Sequence, residues 1–207
     1  DYTDGLSQSN ISSLIDNEVE DLIKPNGMVD NKSDYAYIFE PHDYYTQAAI
    51  YQILDKGLRV KTATRKFSIK GKDYDYGTYM IPVQNQELSS DEIYELLSKI
   101  SVDYNVDFES HSTGITDGID FGSKNFIIVQ QPKIGLIVGD GVRSYDAGEI
   151  WHLLDLRFDI PITKLDIGNL GYINLNKYSH IILPDYNGSR IDVDQIKDYV
   201  DDGGNFI

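Results

Sequence analysis

The chain has no cysteine, one tryptophan, two methionines and six prolines in 207 residues. Without cysteine there is no disulfide, no thiolate metal site and no thiol nucleophile within these residues. The compartment stays open on that ground, because exported proteins also do without cysteine. Positive charge is scarce as well: 18 Lys and Arg stand against 34 Asp and Glu, a formal net charge of -16. Nucleic acid is therefore not an expected partner, since binding phosphates needs a basic face. An anionic membrane surface is disfavoured for the same reason. No run approaches the ~18 consecutive apolar residues of a spanning helix, so no membrane span is expected. No signal peptide is visible, but with no initiator Met its absence is uninformative.

What is present describes a folded globule. The apolar fraction is 41%, rich in Ile, Leu, Val and Tyr, and the length suits one large or two small domains. Sixteen tyrosines could mark a sugar- or peptide-binding surface, although half-buried packing is the ordinary use of this amphipathic side chain. The sequence opens in polar Asp1-Tyr2-Thr3-Asp4-Gly5 and stops at Asn205-Phe206-Ile207, the first residues of an apparent buried strand. A strand cut short leaves neighbouring apolar surface uncovered, so the expectation is an internal piece of a longer protein.

Periodicity organises the rest. Ile11, Leu14, Ile15, Val19 and Leu22 lie at helical spacing, a helical tether within residues 1-30. A smaller α/β unit is expected over 31-130. It holds a short strand over 35–40, a helix over 46–56 closed by Gly57, and a strand over 58–64. A hairpin about Lys70-Gly71-Lys72 pairs 67–69 with 74–76, and a further strand covers 79–83. A capping box at Ser89 to Glu92 opens a helix with Ile93, Leu96, Leu97 and Ile100 on one face, followed by a strand over 106–109. This β-α-β-β-α-β rhythm predicts a mostly parallel sheet with flanking helices. After Gln130-Gln131-Pro132-Lys133, residues 131-207 read as a flavodoxin-like α/β domain truncated at its C-terminus. Strands are expected over 134–138, 162–167 and 179–183, and a last one opens at Asn205. Its helices put Ala147, Ile150, Trp151, Leu154 and Phe158 on one stripe, and Ile196, Tyr199 and Val200 on another.

Candidate site residues sit where such strands end. The loop Gly139 to Asp146 joins a strand's carboxyl end to a helix N-terminus, the usual ligand crevice. There Arg143, Ser144 and the helix amides could hold an anion. Against that, Asp140 and Asp146 would oppose a phosphate, the loop matches no phosphate-binding motif, and Ser144 could simply cap the helix. The ligand-binding candidates are Asp140, Gly141, Arg143 and Ser144, with Asp185 from the next such loop, Pro184 to Gly188. That second loop is also built from ordinary turn residues. His42 and His111, at strand-to-loop transitions, are weaker candidates, whereas His152 and His180 read as packing or surface residues. No H-x-x-E, H-E-x-x-H or G-x-S-x-G pattern occurs, so no catalytic residue and no metal ligand is assigned.

The run Lys133 to Asp155 (KIGLIVGDGVRSYDAGEIWHLLD) resembles the region that follows the catalytic domain in large bacterial, Bacteroidetes-type zinc carboxypeptidases of the carboxypeptidase-A-like kind. Ser33 to Glu40, Gly77 to Val83 and Ser112-Thr113-Gly114 fit the same region. Ser179 to Pro184 and Tyr199 to Ile207 further resemble the class I glutamine amidotransferase-like fold. Catalytic members carry a Cys on the turn after the strand that begins here at Phe206. The glycine pair of their oxyanion hole is replaced by Asp185-Tyr186, which points to a non-catalytic relative. The resemblance implies an exported parent, periplasmic or secreted, with zinc and its catalytic residues in an upstream domain, the partner of this region. A non-catalytic accessory role is thus the leading expectation. A peptide- or small-molecule-binding module using the Gly139–Asp146 crevice is the alternative, and an amidotransferase-like enzyme with its nucleophile beyond Ile207 is a third.

Overall fold

A computed structural model describes residues 26–207. The helix expected over Asn10 to Ile23, with nearly all of the tether, lies outside the described residues. The chain is mixed α/β, built on a five-stranded and a four-stranded sheet with a separate two-stranded hairpin. Among the described residues no helix is long and apolar enough to cross a membrane.

The first sheet uses β1 (Ala36–Phe39), β2 (Lys61–Ala63), β5 (Tyr79–Pro82), β6 (Glu109–His111) and β7 (Phe126–Ile128). Their order is β6-β1-β5-β2-β7, and every pairing is antiparallel. The expected parallel sheet is therefore corrected, although the β-α-β-β-α-β rhythm stands. Helix α1 (Thr46–Asp55) carries the chain from β1 to β2, and α2 (Ser90–Tyr104) from β5 to β6. In each case the two joined strands run the same way, but a third, antiparallel strand is inserted between them. This is the split β-α-β plan of ferredoxin-like units. The strand expected over 106–109 is displaced to 109–111, and β7 had no counterpart in the sequence reading.

Strand β1 shows why the run looked parallel. All four of its residues are buried, as in a strand covered on both faces. Tyr37 and Phe39 join the core beneath the helices, with Ile53, Ile81, Ile93 and Leu97. Ala36 and Ile38 point the other way, to a second core with Phe67, Ile69, Tyr74, Met80 and Phe121. That second core lies under the hairpin of β3 (Phe67–Ile69) and β4 (Lys72–Tyr74). Its turn residues Lys70 and Gly71 have φ of 54° and 82°, the left-handed pair that a two-residue hairpin loop requires. The second arm thus starts two residues earlier than expected.

The second sheet is parallel, in the order β11-β10-β8-β9. Its strands are β8 (Ile134–Val138), β9 (Ile162–Asp166), β10 (His180–Ile182) and β11 (Asn205–Phe206). Ile137, Leu165 and Ile181 share one face with Tyr199 of α4 (Val193–Asp201). Leu136, Val138 and Lys164 take the other face by alternation. There α3 (Ser144–Trp151) lies close, with the Lys164 ammonium 4.6 Å from the Trp151 ring centre. Val200, expected to point inward, is 46% exposed. The span between β9 and β10 holds two 3-10 turns, Ile167–Tyr172 and Leu175–Lys177.

Helix α3 runs on into one π-helical stretch, His152–Arg157, with the Phe158 amide bonded to the Leu153 carbonyl. Such a bulge re-aims the residues that follow it. Here Phe158 meets Tyr44 and Tyr45 edge-on, at 5.4 and 6.0 Å. Asp159 follows with φ 52°; its carboxylate accepts from the Tyr104 hydroxyl at 2.9 Å and its carbonyl from Gln52 at 3.1 Å. These contacts join the two sheets' surroundings.

The capping box is formed as read: Ser89 accepts from the Glu92 amide, and Glu92 accepts from the Ser89 amide at 2.8 Å. Ser89→Ala is expected to cost about 1 kcal/mol. Gly27→Ala should cost more, because an added Cβ would lie 2.4 Å from the Ser101 carbonyl oxygen and the Val106 amide. Urea unfolding of both variants checks the order.

Candidate functional site

The parallel sheet gathers its loops at the carboxyl ends of β8, β9 and β10, where α/β sheets bind ligands. Gly139 and Gly141 have φ of 111° and 83°. Gly141 is needed on a second count, since a Cβ there would stand 3.0 Å from the Tyr186 ring. The Arg143 amide donates to the Asp185 carbonyl and the Asn187 amide to the Gly141 carbonyl, each at 2.8 Å. The loops after β8 and β10 are thus stitched into one small bridge between Val142 and Tyr186.

Ion pairs reinforce this bridge. The Arg143 guanidinium lies 3.3 Å from the Asp185 carboxylate, and Arg190 lies 3.1 Å from Asp140. The sequence candidates Asp140, Gly141, Arg143 and Asp185 are therefore brought together. Ser144 is nearby but does not cap: Arg143 holds the N-cap position, with no side-chain hydrogen bond, and Ser144 is the first helical residue. Sequence reasoning missed Asp166 and Arg190. Asp166 ends β9, and one of its carboxylate oxygens would be 3.2 Å from a Cβ on Gly139. Its position at a parallel strand's end was the available signal. Arg190, in an irregular loop, gave none.

All four paired side chains are more than half exposed, so each pair is worth about 0–1 kcal/mol. Their effect is chemical: both guanidiniums already face carboxylates, which leaves little positive field for an anion. Beside them lies a cavity of about 330 Å³ lined by Val138, Val142, Ser144, Ala147, Trp151 and Lys164. Its walls are mainly apolar.

The weaker candidates fall apart in space. His42 is exposed, with its ring 3.5 Å from Glu40. Glu40 also approaches Lys72, which pairs with Glu109, and the Tyr74 hydroxyl donates to Glu109 at 2.8 Å. Burial, and then the bond to Glu109, push the Tyr74 phenol far above its ordinary range and keep it a donor. This network clamps the hairpin to the sheet edge. His111 is 5% exposed and lies edge-on to Tyr74 and Phe121. Both its ring nitrogens lack hydrogen-bond partners among the described residues. Among those residues no three His, Asp or Glu converge as a metal site.

Compared with protein-family models, with curated proteins and with solved structures, the chain matches none.

Burial first, then the Lys70 charge, lowers the His111 pKa below the ordinary 6.5. The unfolded chain therefore takes up this proton before the folded chain does. Stability is intact above about pH 6.5 and falls as the pH drops below it. The other resolved shifts, on Asp75, Glu92, Tyr and basic side chains, belong to groups that titrate outside pH 5–7. His111→Phe should therefore flatten the loss of stability between about pH 7 and 5, read by urea midpoints across that range.

Proposed function

We propose that this chain is a non-catalytic accessory region of an exported zinc carboxypeptidase, supporting the upstream catalytic domain or its substrate. The observation that carries the non-catalytic part is the position of Asp185. The resemblance places oxyanion-hole glycines there, yet the chain puts a carboxylate, paired to Arg143 at 3.3 Å. An oxyanion hole works by donors aimed at developing negative charge. A carboxylate at that position repels the same charge.

The strand order supports the amidotransferase-like half of the resemblance. Counted along the chain, the parallel sheet runs 2-1-3-4, as do the first four strands of the flavodoxin-like order 2-1-3-4-5. The stitched loops sit where that order reverses, between β8 and β10. In this reading the zinc, its ligands and the catalytic residues belong upstream of Asp1.

A second reading, a small-ligand module, is favoured by the apolar cavity beside Trp151. In this reading the ion pairs orient a ligand's polar end while its apolar part enters beside the indole.

The purified chain, dialysed against zinc, is expected to retain no stoichiometric metal and to release no C-terminal residue from peptides. Tight zinc with hydrolysis by this chain alone would overturn the accessory reading. The one tryptophan reports on the second: a ligand entering the cavity should quench Trp151 fluorescence saturably, with the response lost in Arg143→Ala. A screen of peptides and sugars at millimolar concentration with no quenching would remove it.

A further inference from the structure

The core beneath the β3–β4 hairpin encloses an imidazole that has no polar partner. His111 is buried, and neither ring nitrogen has a hydrogen-bond partner among the described residues. In β6 it stands opposite Ala36, so its side chain joins the hairpin face of the sheet. There Tyr74 of β4 and Phe121 lie edge-on to the ring, at 6.4 and 6.1 Å. A neutral ring tolerates this enclosure at about 1–3 kcal/mol for its unmade bond. An imidazolium would bring a buried charge with two unpaired donors, which costs far more.

The charged groups around the ring offer it no free acceptor. Glu109, two residues back on the same face, is held by the Lys72 ammonium and the Tyr74 hydroxyl. Asp30, beside β6, accepts from the Asn31 and Ser110 amides. Lys70 and Lys72 of the hairpin oppose a further positive charge. From β1 the ring meets Ala36, and from the 112–125 segment Phe121, neither of them charged. The cover itself is attached separately from the sheet. β3 and β4 form their own two-stranded sheet, and among the described residues their backbone bonds outside the hairpin only at Ser68, to the loop residue Asp117. The remaining polar ties are side chains, Lys72 to Glu40 and Glu109, and Tyr74 to Glu109. Backbone bonds from Thr64 to Asn125 and from Gly77 to Ala63 fix the two ends. Residues 65–76 thus form a flap between two anchors.

We propose that the β3–β4 hairpin is an acid-released flap, lifted from the sheet by protonation of His111 while the helices and the parallel sheet stay folded. In the lifted state both ring nitrogens reach water. Glu109, released by Lys72 and Tyr74, becomes the partner of the imidazolium, and the Phe67, Phe121 and Phe126 cluster is uncovered. Burial in the closed state holds the ring's pKa below the ordinary 6.5. Opening therefore takes up a proton below that value and gains from falling pH. The proposal goes beyond a loss of overall stability, because it confines the opening to one element, and it does not rest on the carboxypeptidase reading.

The test is hydrogen exchange of the full chain, read by mass spectrometry at about pH 7.5 and 5.5 and expressed as protection factors. Residues 65–76 should lose up to about tenfold in protection at the lower pH, the gain that one proton bound near 6.5 supplies. Residues 90–104 and 134–138 should keep theirs, and His111→Phe should abolish the loss at 65–76. In the unmutated chain the His111 ring resonances should titrate with the same midpoint as the hairpin amides, a readout that stands if the variant fails to fold. Equal loss along the whole chain, an unchanged hairpin, or the same loss in His111→Phe would each overturn the proposal. So would a ring that titrates while the hairpin amides stay unmoved.

Discussion

Strand β1 has four residues and none reaches solvent. Tyr37 and Phe39 need α1 and α2 above them, while Ala36 and Ile38 need the β3–β4 hairpin below. Two-sided burial forces the chain to supply a cover on each face, and α1, α2 and the β3–β4 hairpin are those covers. Fully burying each large side chain contributes about 1.5–3 kcal/mol, so neither cover is dispensable. The Glu40–Lys72–Glu109–Tyr74 network follows from the same demand, because it fastens the lower cover at its rim.

The enclosure of His111 is a consequence of this layering. Antiparallel pairing sets it opposite Ala36, on the hairpin side of β1. The hairpin then closes over the ring with Tyr74. The parallel sheet makes its crevice by a different route, since its strand ends all face one way. There the two loops that could open a site are sewn together by backbone bonds and by Arg143–Asp185 and Arg190–Asp140. One unit thus encloses an unpartnered imidazole, whereas the other commits its charges to itself. The π-helical stretch and Phe158 connect them, by setting an aromatic side chain against Tyr44 and Tyr45.

Local signals were legible where a residue's neighbours in sequence are also its neighbours in space. The Ser89 capping box and the Lys70-Gly71 turn were each readable from a few adjacent residues. Strand β8 was readable from its apolar run and the glycine that ends it. The crevice loops could be named because parallel strands put their carboxyl ends together. Ser144 does not cap, the alternative its sequence position left open, because Arg143 takes the N-cap position and Ser144 is the first helical residue. Val200 was misplaced because α4 buries only a narrow stripe around Tyr199.

The sequence by itself determined the alternation of elements, the acidic balance and the break between the two sheets. These depend on periodicity and composition, which are properties of a few consecutive residues. Only the tertiary structure decided that the first sheet is antiparallel, because a strand covered on both faces has the same apolar run whichever way its neighbours point. It alone decided that Arg190 meets Asp140, that Asp166 stands beside Gly139, and that Tyr74 lies against His111. Those pairs are distant in sequence, and strand order brings them together, which no local pattern encodes.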